Sequence, residues 1–219
     1  MAKLLNDSNI PFIVQRMNVQ DIPQVMAIEK DSFLTPWPAT AYRHELVQNE
    51  NSHYFVARKR EAPRTSQKDS WLEQCLRKLK PHRPPVLGYS GFWILGEEAH
   101  ISTIAVRPNY RGRGIGELLL STMIELACAL KTTIITLEVR VSNRVAQNLY
   151  AKYRFEKTGR RRRYYRDNNE DALSMSTPPL DDPLFVESYR RNLAALYTRL
   201  LVANSKGEKH GSYQIRAQL

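Results

Sequence analysis

Arg111-Gly-Arg-Gly-Ile-Gly116 stands between an apolar run, Ile101-Ser-Thr-Ile-Ala-Val106, and a helical pattern that runs from Gly116 to Leu130. At the N-terminus of a helix the backbone N–H groups lack partners and carry a partial positive charge, so a phosphate fits there. The glycines permit close backbone approach, and Arg111 and Arg113 add charge-assisted donors. Downstream, Ile134-Ile-Thr-Leu-Glu-Val139 reads as a strand ending at a carboxylate. A second helix starts at Ser142-Asn143 and carries Tyr150. The turn can hold a pyrophosphate, the carboxylate can take a proton, and the phenol can return one.

Other readings of the turn fit less well. A dinucleotide fingerprint needs Gly or Ala at the place where Glu117 stands, and it puts its glycines directly after the strand. Here five residues separate Val106 from Gly112. A Walker loop fails because no Lys-Ser/Thr pair follows. The plain alternative is a glycine-rich turn with solvated arginines.

Glu138 shares one strand face with Ile134 and Thr136. A carboxylate on an inner face is costly without a partner, and burial favours its neutral form, which suits a general base. The alternative is an ion pair with Arg140 or Arg107. Tyr150 has an ordinary phenol's capacity to protonate a thiolate, with reference pKa values of about 10 and about 8.5; alternatively it is a core aromatic beside Leu149. Asn143 either meets a ligand or caps its helix. The run Arg160-Arg-Arg-Arg163 splits into two pairs on opposite faces of a strand, which fits a solvated edge or a ligand phosphate better than specific nucleic-acid reading. His44, His53, His82, His100 and His210 show no metal spacing, and no metal is expected.

Outward from this block the chain reads as β-α-α-β-β-β-α-β-α-β-β. A first strand covers Ile13 to Met17, and a helix opens at Asp21-Ile-Pro23 with Val25, Ile28 and Phe33 as its buried stripe. Thr35-Pro-Trp-Pro38 breaks it, and a short helix follows from Ala39 to Gln48. Strands are expected over Ser52 to Arg58, Val86 to Leu95, Ala99 to Val106, Arg154 to Tyr164 and Asp171 to Ser176, with a hairpin at Gly96-Glu-Glu98. Residues 59–85 are a basic insertion enclosing Trp71, Leu72, Cys75, Leu76 and Leu79 at helical spacing. Asp182-Pro183 opens a C-terminal helix to about Ala203, so the organisation is a core domain over 1–177, a helical extension over 178–204 and a flexible tail over 205–219. The element order mixes hairpins with one parallel crossover, which predicts an α/β fold rather than a doubly wound sheet.

The 219 residues suit one domain with added segments and can bury a proper core. Cys75 and Cys128 lack metal-like spacing and read as reduced thiols. The first nine residues have no apolar core for a signal peptide. No stretch approaches the roughly 20 apolar residues of a membrane helix. A soluble, cytoplasmic protein is expected. The net charge of +11 speaks to non-specific association, not to reaction.

The residues then become recognisable. Arg111 to Gly116 matches the Q/R-x-x-G-x-G/A signature of the GNAT (Gcn5-related N-acetyltransferase) superfamily. Ile104 to Arg111, Leu137 to Asn143, Ala146 to Tyr150, Phe155, Arg162-Arg-Tyr-Tyr165, Glu170 to Met175 and the Thr35-Pro-Trp37 break together resemble the ribosomal-protein-alanine N-acetyltransferases of the RimI type. The resemblance covers about residues 12–177 without the insertion. It implies a mixed, mostly antiparallel splayed sheet flanked by helices. The implied reaction is transfer of acetyl from acetyl-CoA to the N-terminal α-amine of a protein, an alanine of a small-subunit ribosomal protein. Implied partners are thus a protein N-terminus, with no specific nucleic acid and no membrane.

Under the same resemblance, Ile104, Ala105 and Val106 offer backbone partners to the pantetheine arm. Arg111, Gly112, Arg113, Gly114, Ile115, Gly116 and Glu117 cradle the pyrophosphate, and Asn143 contacts the cofactor. Glu138 is the proton acceptor and Tyr150 the proton donor. Three features depart from the pattern: the insertion, the C-terminal helix, and Glu117 where a basic residue is common. Two rivals remain. One is the same fold acting on a lysine or small amine; the other is a non-catalytic basic module associated with ribosome or RNA.

Overall fold

The computed structural model describes residues 9–60 and 83–211. Seven strands form one sheet: β1 Phe12–Arg16, β2 Ser52–Lys59, β3 Val86–Leu95, β4 Glu98–Val106, β5 Ile134–Arg140, β6 Glu156–Tyr165 and β7 Glu170–Ser176. Their order is β1-β2-β3-β4-β5-β7-β6. All neighbours are antiparallel except β4 and β5, which run parallel. The helices are α1 Ile22–Ser32, α2 Ala39–Val47, α3 Ile115–Ala129, α4 Arg144–Lys152 and α5 Pro183–Gly211.

Local chemistry sets the helix starts. Asn18 and Asp21 form a reciprocal capping box over the single turn Val19–Asp21, and Pro23 then leads α1. Asn143 caps α4 by accepting from the N–H of Ala146 at 3.1 Å. The Asp182 carboxylate accepts from the N–H of Phe185 at 2.8 Å, with Pro183 at the first position of α5.

Strand alternation sends side chains to two separate cores. On one face α1 and α2 pack Val25, Ile28 and Tyr42 against Tyr54, Val56, Tyr89 and Ala105. On the other, Leu118, Leu119 and Met123 of α3 join Phe55, Ile101, Leu137 and the α5 residues Phe185, Tyr189, Leu193, Leu196 and Leu200. The expected apolar stripe of the last helix is thus fully used. Phe33, expected in the α1 stripe, is only partly buried.

The feature that positions a site is where β4 and β5 part. They pair from Glu98↔Ile134 to Ile101↔Leu137 and no further. Beyond that, Thr103 to Val106 stay paired to β3 alone, and Glu138 to Arg140 stay paired to β7. A one-residue bulge marks the parting: Thr103 pairs with Gly91 and Ile101 with Phe92, leaving Ser102 unopposed. The inner edges of both strands open into a wedge.

Some boundaries differ from expectation. The β3–β4 turn is tighter, because Gly96 adopts φ 64° and β4 already begins at Glu98. Helix α5 continues to Gly211, so 205–211, expected as the start of a flexible tail, is helical. The helix expected within the insertion, and Cys75 with it, lies outside the described residues. Cys128 is a free, half-buried thiol.

Candidate active site

The expected anion loop has the required backbone. A single turn at Pro108–Tyr110 is followed by Arg111 in extended conformation, Gly112 at φ 73° and Gly114 at φ 84°. Both glycine conformations suit residues without a Cβ. The first intrahelical bond of α3 joins the N–H of Leu118 to the carbonyl of Gly114 at 2.9 Å. The N–H groups of Ile115, Gly116 and Glu117 therefore have no partner within the helix. No described atom comes within 4 Å of where a Cβ on Gly112 would stand, so a ligand can reach the backbone there. Gly114 is different: its inner side rests on Leu196 and Leu200 of α5, at 3.2 and 3.1 Å from a hypothetical Cβ. The loop's open side is the outer one.

The side chains divide the work. Arg111 donates from Nε to the carbonyl of Val106 at 3.1 Å and reaches Ser32 Oγ at 3.4 Å, tying the loop to β4 and α1. Arg113 lies over the Tyr110 ring, 5.1 Å from its centroid. Glu117 does not present its carboxylate to the loop's outer side as its sequence position suggested. That carboxylate is buried between Lys152 Nζ at 2.5 Å, Arg199 at 2.6 Å and the Tyr153 hydroxyl at 3.0 Å. Burial opposes its ionisation, but these three donors outweigh burial and hold its pKa below the usual carboxylate range. What Glu117 offers the cradle is its N–H. Asn143 uses its side-chain oxygen as a helix cap.

Ile104, Ala105 and Val106 lie on the stretch of β4 whose inner edge is open. Glu138 stands on the facing wall, on the first residue of β5 past the parting. Its side chain is only 8% exposed, and it faces the side of the sheet that carries α1 and α2. Neither expected ion-pair partner holds it. Arg140 is bound to Asp167 and Glu170 and lies over the Tyr165 ring, and Arg107 donates to the carbonyl of Val86. Instead Arg161 meets Glu138 Oε1 at 3.0 Å and His100 Nε2 meets Oε2 at 3.2 Å.

Arg161 comes from the four-arginine run, whose alternation breaks. The β6–β7 register slips between Arg161 and Tyr165, and Arg163 adopts φ 50°. Arg160 pairs with Asp171 at 2.7 Å.

Tyr150 is buried on α4, its ring 5.6 Å from that of Phe155. Burial, and secondarily the nearby Tyr165 phenol, push its pKa well above the ordinary tyrosine value.

Sequence reasoning missed an aromatic and acidic wall around Glu138. Trp37, from the break between α1 and α2, stacks on Trp93 at 6.0 Å, and Trp93 stacks on His100 at 6.1 Å. The buried Glu29 carboxylate accepts from the N–H of Trp37 at 3.0 Å and from the hydroxyls of Tyr42 and Tyr89. Trp93 Nε1 donates to Glu45 at 2.7 Å. His100 sits opposite Trp93 and beside Thr136 in the ladder. Period-two counting from Glu138 back to Thr136 would have found it, given the β4–β5 register.

Comparisons with known proteins identify the family. Residues 22–155 match the family model described as Acetyltransferase (GNAT) family, and the chain belongs to that family. A Bacillus subtilis (strain 168) protein with the provisional name [ribosomal protein bS18]-alanine N-acetyltransferase is 38% identical over 74% of this chain and 92% of its own. The N-alpha-acetyltransferase RimI of Mycobacterium tuberculosis (strain ATCC 25618 / H37Rv) is 31% identical over 75% of this chain and 91% of its own. In fold, the crystal structure of the Escherichia coli ribosomal-protein-S18-alanine N-acetyltransferase superposes with a TM-score of 0.59 at 24% identity. It covers 77% of this chain and 94% of that one. Other neighbours of this fold have been solved with acetyl-CoA or CoA bound.

Proposed function

We propose that this acetyltransferase moves acetyl from acetyl-CoA to the α-amine of a protein N-terminus, and that an N-terminal alanine of a small-subunit ribosomal protein is its substrate. The observation that carries the reading is Glu138. It is a carboxylate whose side chain is only 8% exposed, on the first residue of β5 past the parting and across from the open edge of β4, the strand that leads into the loop and free N–H groups at the start of α3. The names of the relatives at 38% and 31% identity supply the substrate class. A cytoplasmic location follows from that substrate, since ribosomal proteins are made there.

Gly112 to Glu117 would hold the pyrophosphate and Ile104 to Val106 the pantetheine arm. Bound acetyl-CoA supplies the activated acyl group. Glu138 removes one proton from the substrate ammonium, and the free amine attacks the thioester carbonyl. Backbone N–H near Val106 stabilises the oxyanion. Tyr150 gives its proton to the departing sulfur and regains one from the nitrogen, so of three ammonium protons one stays, one leaves through Glu138 and one ends on the thiol. An α-amine, with a reference pKa of about 7.7–8.0 against about 10.4 for lysine, asks less of a carboxylate base.

The test is coenzyme A release with a short peptide beginning Ala-Arg, beside its N-terminally blocked form, for wild type and Glu138→Gln. Turnover that needs the free terminus and falls by about 10²-fold or more in the variant supports the reading. Turnover only on lysine-bearing or small amines would give the site to the rival substrate class. Equal rates in both proteins would remove Glu138 as base.

A further inference from the structure

His100 lies outside the loop, the carboxylate and the tyrosine, in the paired stretch of β4 just before the wedge opens, yet it contacts Glu138 directly. Its imidazole is 19% exposed and stacks on Trp93. Nδ1 lies 2.8 Å from Thr136 Oγ1 and 3.8 Å from Glu98 Oε1, and Nε2 lies 3.2 Å from Glu138 Oε2.

The proton inventory of this group is constrained. Thr136 has one hydroxyl proton, and its oxygen contacts Glu98 Oε1. An ionised carboxylate only accepts, so that proton points to Glu98. The bond between Thr136 Oγ1 and His100 must then be supplied by Nδ1–H. With Nδ1 protonated, a neutral ring turns the Nε2 lone pair towards Glu138 Oε2. Two lone pairs at 3.2 Å repel unless a proton lies between them.

We propose that His100 and Glu138 form a dyad that shares one proton, and that the pair, not Glu138 alone, is the base. In the proton-free pair, a proton arriving at Glu138 from the substrate ammonium relieves the repulsion by settling between Oε2 and Nε2. It later leaves to solvent, which restores the base. Arg161, at 3.0 Å from Oε1, keeps that second oxygen from competing for the proton. His100 is thus a positioning residue that acts through Glu138. The titratable and charged groups facing the pair are Glu98 on the strand of His100 and, on β6, Arg161 with the Tyr164 and Tyr165 phenols. Trp93 on β3 covers one ring face and is itself held by Glu45 of α2.

The reaction step rests on the proposed acetyl transfer, but the shared proton does not, so two measurements separate them. First, ¹⁵N NMR of the histidine rings in the whole protein, with His100 assigned from the spectrum of His100→Gln. The dyad requires an Nδ1–H neutral tautomer whose Nε2 titrates in one step linked to Glu138. A ring that is Nε2–H when neutral would overturn the proposal, whatever the enzyme acetylates. Second, the pH profile of kcat/KM with the Ala-Arg peptide. His100→Gln keeps a donor towards Glu138 but cannot titrate. Its acid limb should move to lower pH by about one unit or more, with kcat down about tenfold or more and KM for acetyl-CoA unchanged. A limb that stays in place in a folded His100→Gln protein would reduce His100 to a structural contact. Silence of both proteins towards the peptide, with the NMR signature present, would defeat the substrate reading and leave the dyad standing.

Discussion

At Tyr150 burial has two consequences, one for packing and one for chemistry. The ring closes the core beside Phe155, and loss of solvent favours the neutral phenol, so its pKa rises above the ordinary value. The sign is that of an acid kept protonated: no alkaline fall in kcat should arise from Tyr150 below its reference value of about 10. Tyr150→Phe keeps the ring and removes the proton. We expect kcat to fall by about 10²-fold with little change in thermal stability. A kinetic trace that matches wild type would return Tyr150 to a purely structural role. Both readings of this residue were open in the sequence; the structure shows the core aromatic, and the proton donor is the part of the proposed reaction that this variant tests. Glu138 was legible by its place in a strand, but its partners were not. Arg161 reaches it because β6 and β7 pair Arg161 with Ala172, and His100 because β4 and β5 pair it with Thr136. Neither long-range pairing is written in local spacing.

Among elements, the loop into α3 was the most legible, because glycine at positive φ and a free helix N-terminus are local properties. What the sequence did not disclose is that the loop has an inner side. Gly114 at φ 84° would carry a Cβ 3.1–3.2 Å from Leu200 and Leu196. Gly114→Ala therefore meets both a backbone penalty of about 1–2 kcal/mol and a crowded contact with core leucines. We expect KM for acetyl-CoA to rise by about tenfold and the melting temperature to drop by several degrees. Gly112 also has positive φ but open space around it, so Gly112→Ala incurs only the backbone penalty. If the two variants lose equal stability, packing beneath Gly114 is not a support of the loop. The arginine run on β6 teaches a related lesson. Alternation holds for Arg160 and Arg161, which go to Asp171 and Glu138, but a register slip beyond Arg161, with Arg163 at φ 50°, breaks the second half of the expected pattern.

For the whole molecule, the question is why a family domain carries a 29-residue C-terminal helix. The expected apolar stripe places five residues of α5 in the core under α3, and Leu196 and Leu200 touch Gly114 at the loop itself. From the next residue position, Arg199 reaches Glu117, and Lys152 of α4 meets the same carboxylate. The extension thus closes one face of the sheet and braces the anion loop at two points, one apolar and one ionic. It also explains how an acidic residue is tolerated beside the expected pyrophosphate: its charge is matched from within the protein. The two contacts differ in weight. Leu200 is 2% exposed, and Leu200→Ala should cost about 2–4 kcal/mol through the cavity it leaves. Arg199 is more than half exposed, and such pairs contribute about 0–1 kcal/mol. Arg199→Ala should therefore leave the melting temperature within about 2 °C of wild type, while the less tightly held loop raises KM for acetyl-CoA several-fold. KM for the peptide should not change, because the brace lies on the opposite face of the sheet from Glu138 and His100. Calorimetric titration of coenzyme A into the two variants checks this directly. Unaltered cofactor affinity in both would make α5 a cover for the core with no hold on the site.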